Sequence, residues 1–520
     1  MKAWQGIFLG LSTLALSACS GQPLGPDAGR ALVEESAAAM GGWDAMNAIK
    51  SQEIITAGGD WEPLQALSPG SEPRIVNRFS QGVLADYENG RMRVAFDAQR
   101  VYPFQQRVRF DEVIEKDVAS LETIDPSGKS TFERLHPSRR ATRMRDFNRL
   151  PLRVLYTAKN SPDLRREADL PGAGRNTAIH VLKYTDGGAP VELHLGSFDK
   201  LPMRVIYMED DPVEGDSANE LVFSEWRYYD AVRMPQKIEL FLNGKKLREE
   251  EVRTLINNPK HLDAVFVIRD EVRAQPENGE PIVSQWTLRR AAMGTAYADF
   301  GRAQKVELAQ VAPGVHHVTG GSHHSMVVEF NDGLMVVEMP LFEERSEAVL
   351  AALEQKFPGK PVKYGVMTHF HMDHSGGIRA YAAKGATLFA PESVVSWVKE
   401  TLSRPKTIRP DSLAKAGAPR GTVEGVADAK TISDGMRTVE LRQIPNAHSE
   451  GLLIAYLPKE RIAFVSDLYS PGNPIAPGDP SANALAFYDA LVRDNLAVDR
   501  IVGGHGGVGS FRDLARFVSD

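Results

Sequence analysis

The chain has 520 residues, of which 42% are hydrophobic and 25% charged, and its 61 Lys and Arg against 68 Asp and Glu give a net charge of −7. These proportions are those of a folded protein of two or more domains, and they exclude a mainly disordered chain. The negative balance, without a long basic run, argues against nucleic acid as a partner. The single cysteine excludes an intrachain disulfide and a metal site built on several cysteines.

The first nineteen residues are typical of an export signal. A lysine is followed by an uncharged run, residues 7–18, which is too short to span a bilayer but has the length of a signal-peptide core. The run ends in Leu16-Ser17-Ala18-Cys19, which resembles the bacterial lipobox, and this resemblance implies that Cys19 becomes the lipidated first residue of the mature chain. Residues 20–30 are polar and are interpreted as a tether.

The residue after the cysteine bears on localisation. Ser20 stands where an Asp would suggest retention in the inner membrane, so the resemblance favours a protein anchored in the outer membrane of the cell envelope and facing the periplasm. The anchor makes the membrane a partner of the chain. A plain cleaved signal peptide with a chance cysteine is the alternative interpretation.

Residues 31–300 are predicted to form a curved antiparallel β-sheet domain. A helical stretch at 31–48 is interrupted by Gly41-Gly42. From about residue 50 to 290, short runs of alternating polar and apolar residues are separated by turn signals such as Asn243-Gly244, and this pattern indicates antiparallel strands. Eight arginines between 138 and 167 are interpreted as a solvated face, with contact to anionic lipid headgroups as the alternative.

A short part of this region carries a resemblance of its own. Phe223-Ser224-Glu225-Trp226-Arg227, Met234-Pro235 and Leu242-Asn243-Gly244 resemble the closing strands of periplasmic lipoprotein-carrier (LolA/LolB-like) domains. The resemblance implies that the concave face of the sheet holds an acyl chain. A generic antiparallel meander explains the same residues equally well.

From residue 303 to 520, strand-like and helical stretches alternate along the chain. EERSEAVLAALEQKF at 343–357 is one of the helical stretches, and VKYGVMT at 362–368 is one of the strand-like runs. Alternation of this kind predicts a layered α/β domain, so the fold class is a multidomain one, α+β followed by α/β. We place the domain boundary near residue 300.

Three of the thirteen histidines stand within six residues, in the segment His369-Phe370-His371-Met372-Asp373-His374. If this segment is extended, the side chains of His369, His371 and Asp373 lie on one side of the strand, whereas the side chain of His374 points in another direction. Imidazole and carboxylate are ligands that zinc prefers. Four candidates are too many for one open catalytic ion, so the segment predicts two adjacent metal ions.

The His-x-His-x-Asp-His segment resembles the signature of the metallo-β-lactamase-fold hydrolases. The resemblance implies an αββα sandwich and three further ligands downstream, each at a strand end. His448 follows the strand-like run 438–444, Asp467 ends the run 461–466, and His505 lies among glycines. By the family pattern two zinc ions are held, the first by His369, His371 and His448, the second by Asp373, His374 and His505, with Asp467 between them. Iron or manganese in place of zinc is left open.

The same resemblance implies an activity. The chain is expected to be a metal-dependent hydrolase that uses a metal-bridging hydroxide on an ester, thioester, lactone or related bond of a small molecule, with Asp373 and Asp467 as catalytic residues. An Asp at position 467 is similar to glyoxalase II and lactonases, whereas zinc β-lactamases usually have Cys or a non-ligand there, so β-lactamase activity is a weak alternative. Too few residues follow His505 for the helical extension of glyoxalase II.

Three further residues are candidates on the substrate side. His323 and His324 lie in a loop between two predicted strands, where donors to a substrate or a solvated turn are both expected, and Tyr469 is either a hydrogen-bond donor or a pocket-wall aromatic. The alternative to an enzyme is an envelope module that binds lipid or lipoprotein and carries a non-catalytic metal domain. The physiological substrate, the role of the N-terminal β domain and the oligomeric state are left open.

Overall fold

The computed structural model describes residues 25–260, 262–294, 300–418, 421–472 and 481–519. Cys19, the predicted export signal and the start of the predicted tether lie outside the described residues. Within the ranges described, no helix combines the length and the apolar character needed to cross a membrane.

The N-terminal half is dominated by strands, as the alternating pattern predicts. Its elements in chain order are α1 (Gly25–Met40), α2 (Trp43–Ala48), β1 (Ser51–Glu62), β2 (Arg74–Asp86), β3 (Arg91–Arg100), β4 (Gln106–Ile114), β5 (Ala119–Ile124), β6 (Ser130–Arg134), α3 (Pro137–Asn148), α4 (Val154–Asn160), β7 (Arg165–Arg166), β8 (Leu170–Ala173), β9 (Asn176–Asp186), β10 (Ala189–Gly196), β11 (Pro202–Asp211), β12 (Gly215–Ser224), β13 (Arg227–Tyr229), β14 (Val232–Met234), β15 (Lys237–Leu242), β16 (Lys245–Asn257), α5 (Asp270–Arg273) and α6 (Gln285–Ala292). Single 3₁₀ turns lie at Pro63–Gln65 and Leu262–Val265.

One antiparallel sheet of 14 strands takes up nearly all of these strands, in the order β6-β5-β4-β3-β2-β1-β16-β15-β12-β11-β10-β9-β7, with β8 beside β9. Alternate residues of each strand point to the inner face, which is why the sequence alternates. Phe96 of β3 stacks between Phe79 of β2 and Phe110 of β4, with ring centroids 5.4 and 4.8 Å apart. The antiparallel sheet predicted for this half is therefore confirmed.

The C-terminal half alternates strands and helices. Its elements are β17 (Glu307–Ala312), β18 (Val315–Thr319), β19 (Ser325–Glu329), β20 (Leu334–Val337), α7 (Glu343–Lys356), β21 (Val362–Val366), α8 (Met372–Ser375), α9 (Ile378–Lys384), β22 (Thr387–Pro391), α10 (Val395–Ser403), α11 (Ser412–Ala416), β23 (Val423–Val426), β24 (Ala429–Ser433), β25 (Thr438–Ile444), β26 (Leu452–Leu457), β27 (Ile462–Val465), α12 (Ser481–Arg493), β28 (Arg500–Gly503), β29 (Val508–Ser510) and α13 (Phe511–Ser519). They form a seven-stranded sheet, β17 to β23 in order, and a six-stranded sheet, β24 to β29 in order.

The apolar clusters show how these two sheets are layered. Met335 and Val337 of β20 join residues of the second sheet in a buried cluster, whereas the alternate residue Val336 joins residues of α7, α9 and α10. On the far side of the second sheet, Ile454 of β26 lies in a cluster with Phe487 of α12. The order of layers is helix, sheet, sheet, helix, so the predicted αββα sandwich is confirmed.

The N-terminal half packs directly on the sandwich. Trp286 of α6 is fully buried, and its ring meets that of Phe342 edge to face at 5.6 Å. Arg289 of the same helix reaches Met372, with 3.1 Å between its guanidinium nitrogen and the sulfur. The segment that holds the clustered histidines is therefore covered by the N-terminal half.

Three of the four arginines of α3 are not the solvated face that the sequence suggests. Arg139 and Arg143 are both buried and pair with Glu112, which has no exposed surface. Arg145, also buried, pairs with Glu209. The interpretation as a solvated face is wrong for these residues, because acidic partners on neighbouring strands compensate their charge inside the protein.

Candidate metal centre

The candidate ligands come together at one edge of the sandwich because each follows the end of a strand. Strands β27 and β28 are parallel neighbours, so their carboxyl ends lie side by side, and Asp467 and His505 follow those ends. His448 follows β25, and the segment 369–374 follows β21. Loops at one end of a layered fold are a common place for functional residues.

A first group of candidate ligands consists of His369, His371, His448 and Asp467, whose ligand atoms all lie within 4.8 Å of one another. His448 Nε2 is 3.3 Å from His369 Nε2 and 3.1 Å from Asp467 Oδ2. His371 Nε2 donates to the carbonyl oxygen of Ala66 at 2.9 Å, and among the described residues its buried Nδ1 has no hydrogen-bond partner. A buried ring nitrogen that faces other ligand atoms fits a metal ion.

A second group lies beside the first and consists of His323, His374 and His505, again with ligand atoms within 4.8 Å. Asp467 Oδ1 is 3.0 Å from Nε2 of His374 and 3.0 Å from Nε2 of His505. The other oxygen of the same carboxylate faces the first group. Asp467 therefore lies between the two groups with one oxygen toward each.

Asp373 joins neither group. Its Oδ1 accepts a hydrogen bond from Gln65 Nε2 at 2.6 Å, and its Oδ2 lies 2.6 Å from the guanidinium of Arg290 and 3.2 Å from His323 Nε2. The alternation expected of an extended segment stops at His371, because residues 372–375 form a helical turn that redirects the carboxylate.

The two ligand groups combine neutral and charged side chains. Burial alone would lower the pKa of His374, but Asp467 and Glu338 raise it well above its usual value. Burial lowers the pKa of His369, His371 and His323 well below the usual value, so these rings are neutral at physiological pH, which is the form that binds metal. Burial alone would raise the pKa of Asp467, but the neighbouring His374 and His505 hold it well below its usual range, so the carboxylate is ionised.

Most of the C-terminal sandwich matches a known protein family. Residues 309–505 match the model of the metallo-beta-lactamase superfamily. The C-terminal sandwich is a metallo-β-lactamase superfamily domain. This superfamily consists of metal-dependent hydrolases.

Three solved structures are similar to this part of the chain. A metallo-beta-lactamase from Pontibacter korlensis is 22% identical, with 41% of this chain and 98% of that chain covered and a TM-score of 0.32. The metallo-beta-lactamase FIM-1 from Pseudomonas aeruginosa, in its mono-zinc form, is 17% identical, with 42% and 95% covered and a TM-score of 0.33. DIM-1 metallo-beta-lactamase is 20% identical, with 41% and 96% covered and a TM-score of 0.32.

Within the metallo-β-lactamase domain, two residues that the sequence analysis missed orient His369. Thr368 Oγ1 donates to Oε2 of Glu338 at 2.7 Å and lies 3.0 Å from His369 Nδ1. Glu338 is fully buried. A partner on Nδ1 leaves Nε2 as the ligand atom, as is usual for metal-binding histidines. The only sequence signal is a single acidic residue inside the apolar run 334–339.

Residues of the N-terminal half also contact candidate ligands in the metallo-β-lactamase domain. No sequence pattern predicted these contacts. Tyr102 Oη is 3.0 Å from His448 Nδ1, while Arg74 lies over the Tyr102 ring at 4.3 Å and donates to the carbonyl oxygen of His448. Together with the contact of Ala66 to His371 and of Gln65 to Asp373, these residues fix three side chains of the centre from outside its own domain.

The remaining substrate-side candidates lie apart from the ligand groups. The backbone N–H of His324 donates to Gly504 at 2.8 Å, and its ring meets that of His317 at 4.9 Å. Tyr469 is buried, and its ring packs against Phe517 at 5.6 Å. His323, in contrast, is inside the second group.

Replacing Tyr102 with Phe should weaken metal binding about 10–100-fold, because His448 loses the partner that holds its ring while the apolar packing is kept. Competition with a chelator of known zinc affinity measures the change. Tyr156→Phe is the matched control, since the Tyr156 hydroxyl donates to Asn47 on the exposed surface, away from the centre. Equal affinities for both variants would contradict a role of Tyr102 at the metal centre.

Proposed function

We propose that the protein is a dinuclear zinc hydrolase of an ester, thioester, lactone or related bond in a small-molecule substrate. The observation that carries the proposal is the carboxylate of Asp467, which turns one oxygen toward His448 and the other toward His374 and His505. A carboxylate shared between two groups of imidazoles is a ligand set for two adjacent ions.

Zinc bound in such a pair lowers the pKa of water to about 7 and polarises the oxygen of an electrophile. The side chains of the protein would bind the two ions and position the water. The imidazole rings of the two groups and Asp467 would hold the ions, whereas Asp373, ionised and fixed by Gln65 and Arg290, would orient the attacking water. This assigns catalytic roles to both aspartates.

Metal analysis combined with a substrate panel tests the proposal. The full-length protein should bind about two zinc ions per chain and should hydrolyse at least one member of a panel of chromogenic esters, thioesters, lactones and phosphodiesters. A chelator should remove this activity and zinc should restore it. A fully metal-loaded protein that hydrolyses no member would favour a non-catalytic metal domain. Nitrocefin in the same panel tests the weak β-lactamase alternative.

A cavity in the N-terminal half favours the second candidate, a module that binds lipid or lipoprotein. The cavity has a volume of about 150 Å³ and lies on the inner face of the large sheet, lined mainly by apolar side chains such as Val94, Phe96 and Leu240. Arg248 and Asp60 pair at 2.6 Å in its lining. Native mass spectrometry of protein purified without detergent should detect a bound lipid under this proposal, and a ligand-free spectrum would remove its support.

We also propose that the mature chain is anchored to the envelope through Cys19, on the strength of the lipobox resemblance. Cys19→Ser should move the protein from the membrane fraction to the soluble fraction, because burial of acyl CH₂ groups, worth ~0.8 kcal/mol each, is what holds such an anchor. Cell fractionation with immunoblotting measures this. Ser12→Ala, inside the apolar run, is the control and should stay membrane-bound. A Cys19→Ser protein that remains in the membrane fraction would contradict the anchor.

A further inference from the structure

The cavity on the inner face of the large sheet contains a cation that its neighbours compensate poorly. Arg149, directly after α3, lines the cavity and is 4% exposed. Its Nε and Nη1 have no hydrogen-bond partner among the described residues. The oxygen of Glu209 that lies 3.6 Å from Nη1 also pairs with Arg145. A buried charge is costly unless it is closely paired, so this guanidinium favours an anion beside it.

The other arginines in the cavity lining are each closely paired with a carboxylate. They are Arg143, Arg248 and Arg289, which have carboxylate oxygens at 2.7, 2.6 and 2.7 Å. Burial alone would lower the pKa of Arg248 and Arg289, but their carboxylates raise it, whereas burial lowers the pKa of Arg149 to about 10. Arg149 is therefore the lining residue best suited to pair with an added anion.

The rest of the cavity suits a small apolar body. Phe96 and Leu240 are buried in its wall, and the ring of Tyr207, also in the wall, lies 3.7 Å from the Arg149 guanidinium. The cavity volume is about 150 Å³. An apolar cavity of that size holds a molecule such as benzene, so a buried body of about six to ten carbon atoms is expected.

We propose that this cavity binds a small carboxylic acid as its anion, with the carboxylate paired to Arg149 and the apolar body against the inner face of the sheet. Carboxylate is the anion that a planar guanidinium binds best. The inference rests on the same cavity as the second candidate function and goes beyond it, because it names the head group, the residue that holds it and the size of the ligand.

Isothermal titration calorimetry of the full-length wild type with three eight-carbon probes tests the head group. Octanoate, octanol and octylammonium share one chain and differ in charge. Octanoate should bind at least about 10-fold more tightly than octanol, because only octanoate forms a charge-assisted contact with the guanidinium, and octylammonium should bind most weakly. Absence of octanoate binding, or equal affinities for octanoate and octanol, would overturn the proposal.

Variants of Arg149 test the place of binding. Arg149→Met should weaken octanoate binding about 10-fold or more and leave octanol binding unchanged, whereas Arg149→Lys, which keeps the charge, should retain most of it. Arg253→Met is the control, since Arg253 is 60% exposed and lies outside the cavity lining, and it should bind like the wild type. An Arg149→Met protein that is folded by circular dichroism and binds octanoate unchanged would contradict the assignment.

Two further measurements do not depend on a variant that folds. The anomalous bromine signal of ω-bromooctanoate in wild-type crystals should lie inside the cavity, and a signal elsewhere would overturn the inference. Octanoate should also bind after a chelator has removed metal, because no candidate metal ligand lines the cavity. Failure of octanoate to bind therefore leaves the hydrolase proposal standing, and failure of the hydrolase panel leaves this site standing.

Discussion

Asp467→Asn should reduce kcat/KM on any substrate identified in the panel by about 10³-fold or more. Losing a residue that only supports a ligand costs about 10–100-fold, and Asp467 faces both groups of ligands at once, so its loss affects both ions. The substitution is nearly isosteric, and the variant should keep its fold. Steady-state kinetics and metal analysis of the same preparation, with circular dichroism to verify folding, measure the three effects.

Asp499→Asn is the matched control for this prediction. Asp499 directly precedes β28, at the opposite end of that strand from His505. Its side chain is 61% exposed and pairs with the exposed Arg461, so the change should leave activity and metal content unaltered. An Asp467→Asn protein that is folded, contains two metal ions and turns over substrate like the wild type would rule out Asp467 as the residue shared between two ions.

The parts of this centre that sequence could predict are those fixed by local patterns. Asp467 and His505 each follow an apolar strand, and the topology then brings these strand ends to one edge, so order and context along the chain were sufficient. The clustered histidines at 369–374 needed only their spacing. The spacing of these residues could not predict the direction of the Asp373 side chain, because residues 372–375 form a helical turn and the carboxylate is bound by Gln65 and Arg290 of the N-terminal half.

The residues that could not be predicted act across large separations in sequence. Tyr102, Gln65 and Arg290 reach the centre from the other half of the chain, and none of them lies in a pattern of its own. The buried arginines of α3 were misinterpreted for the same reason. A charged residue is expected to be exposed as long as no partner is known, and the partner Glu112 lies on β4. The loop histidine His323 was visible in the sequence, but its place in the second group was not.

Through these contacts, residues of the N-terminal half orient side chains of the metal centre. This role does not require the N-terminal half to bind a lipid itself. Ala66 accepts from His371, Tyr102 meets His448 and Arg290 binds Asp373, so three of the candidate ligands or their neighbours are oriented by one packed surface. Such orientation raises metal affinity because the rings need not be ordered when the ion binds.

Arg289→Met should lower the free energy of unfolding by about 3–5 kcal/mol, because it breaks a buried ion-pair network and leaves two carboxylates without a counter-charge. Arg289 binds Glu62 through two nitrogens at 2.8 and 2.9 Å and Asp211 through a third at 2.7 Å, and all three side chains are at most 5% exposed. Burial alone would lower the pKa of Arg289, but these carboxylates raise it. Urea unfolding followed by tryptophan fluorescence measures the loss.

Two further variants separate the network from the general effect of losing an arginine. Arg253→Met removes an exposed pair with Glu251, 60% and 54% exposed, and should change stability by no more than about 0.5 kcal/mol. Adding Glu62→Gln and Asp211→Asn to Arg289→Met should recover much of the lost stability, since amides keep the acceptors that cap Leu64 and Val213 while removing the unpaired charges. If the triple variant is as unstable as the single one, packing of the arginine stem rather than charge pairing accounts for the stability that Arg289 contributes.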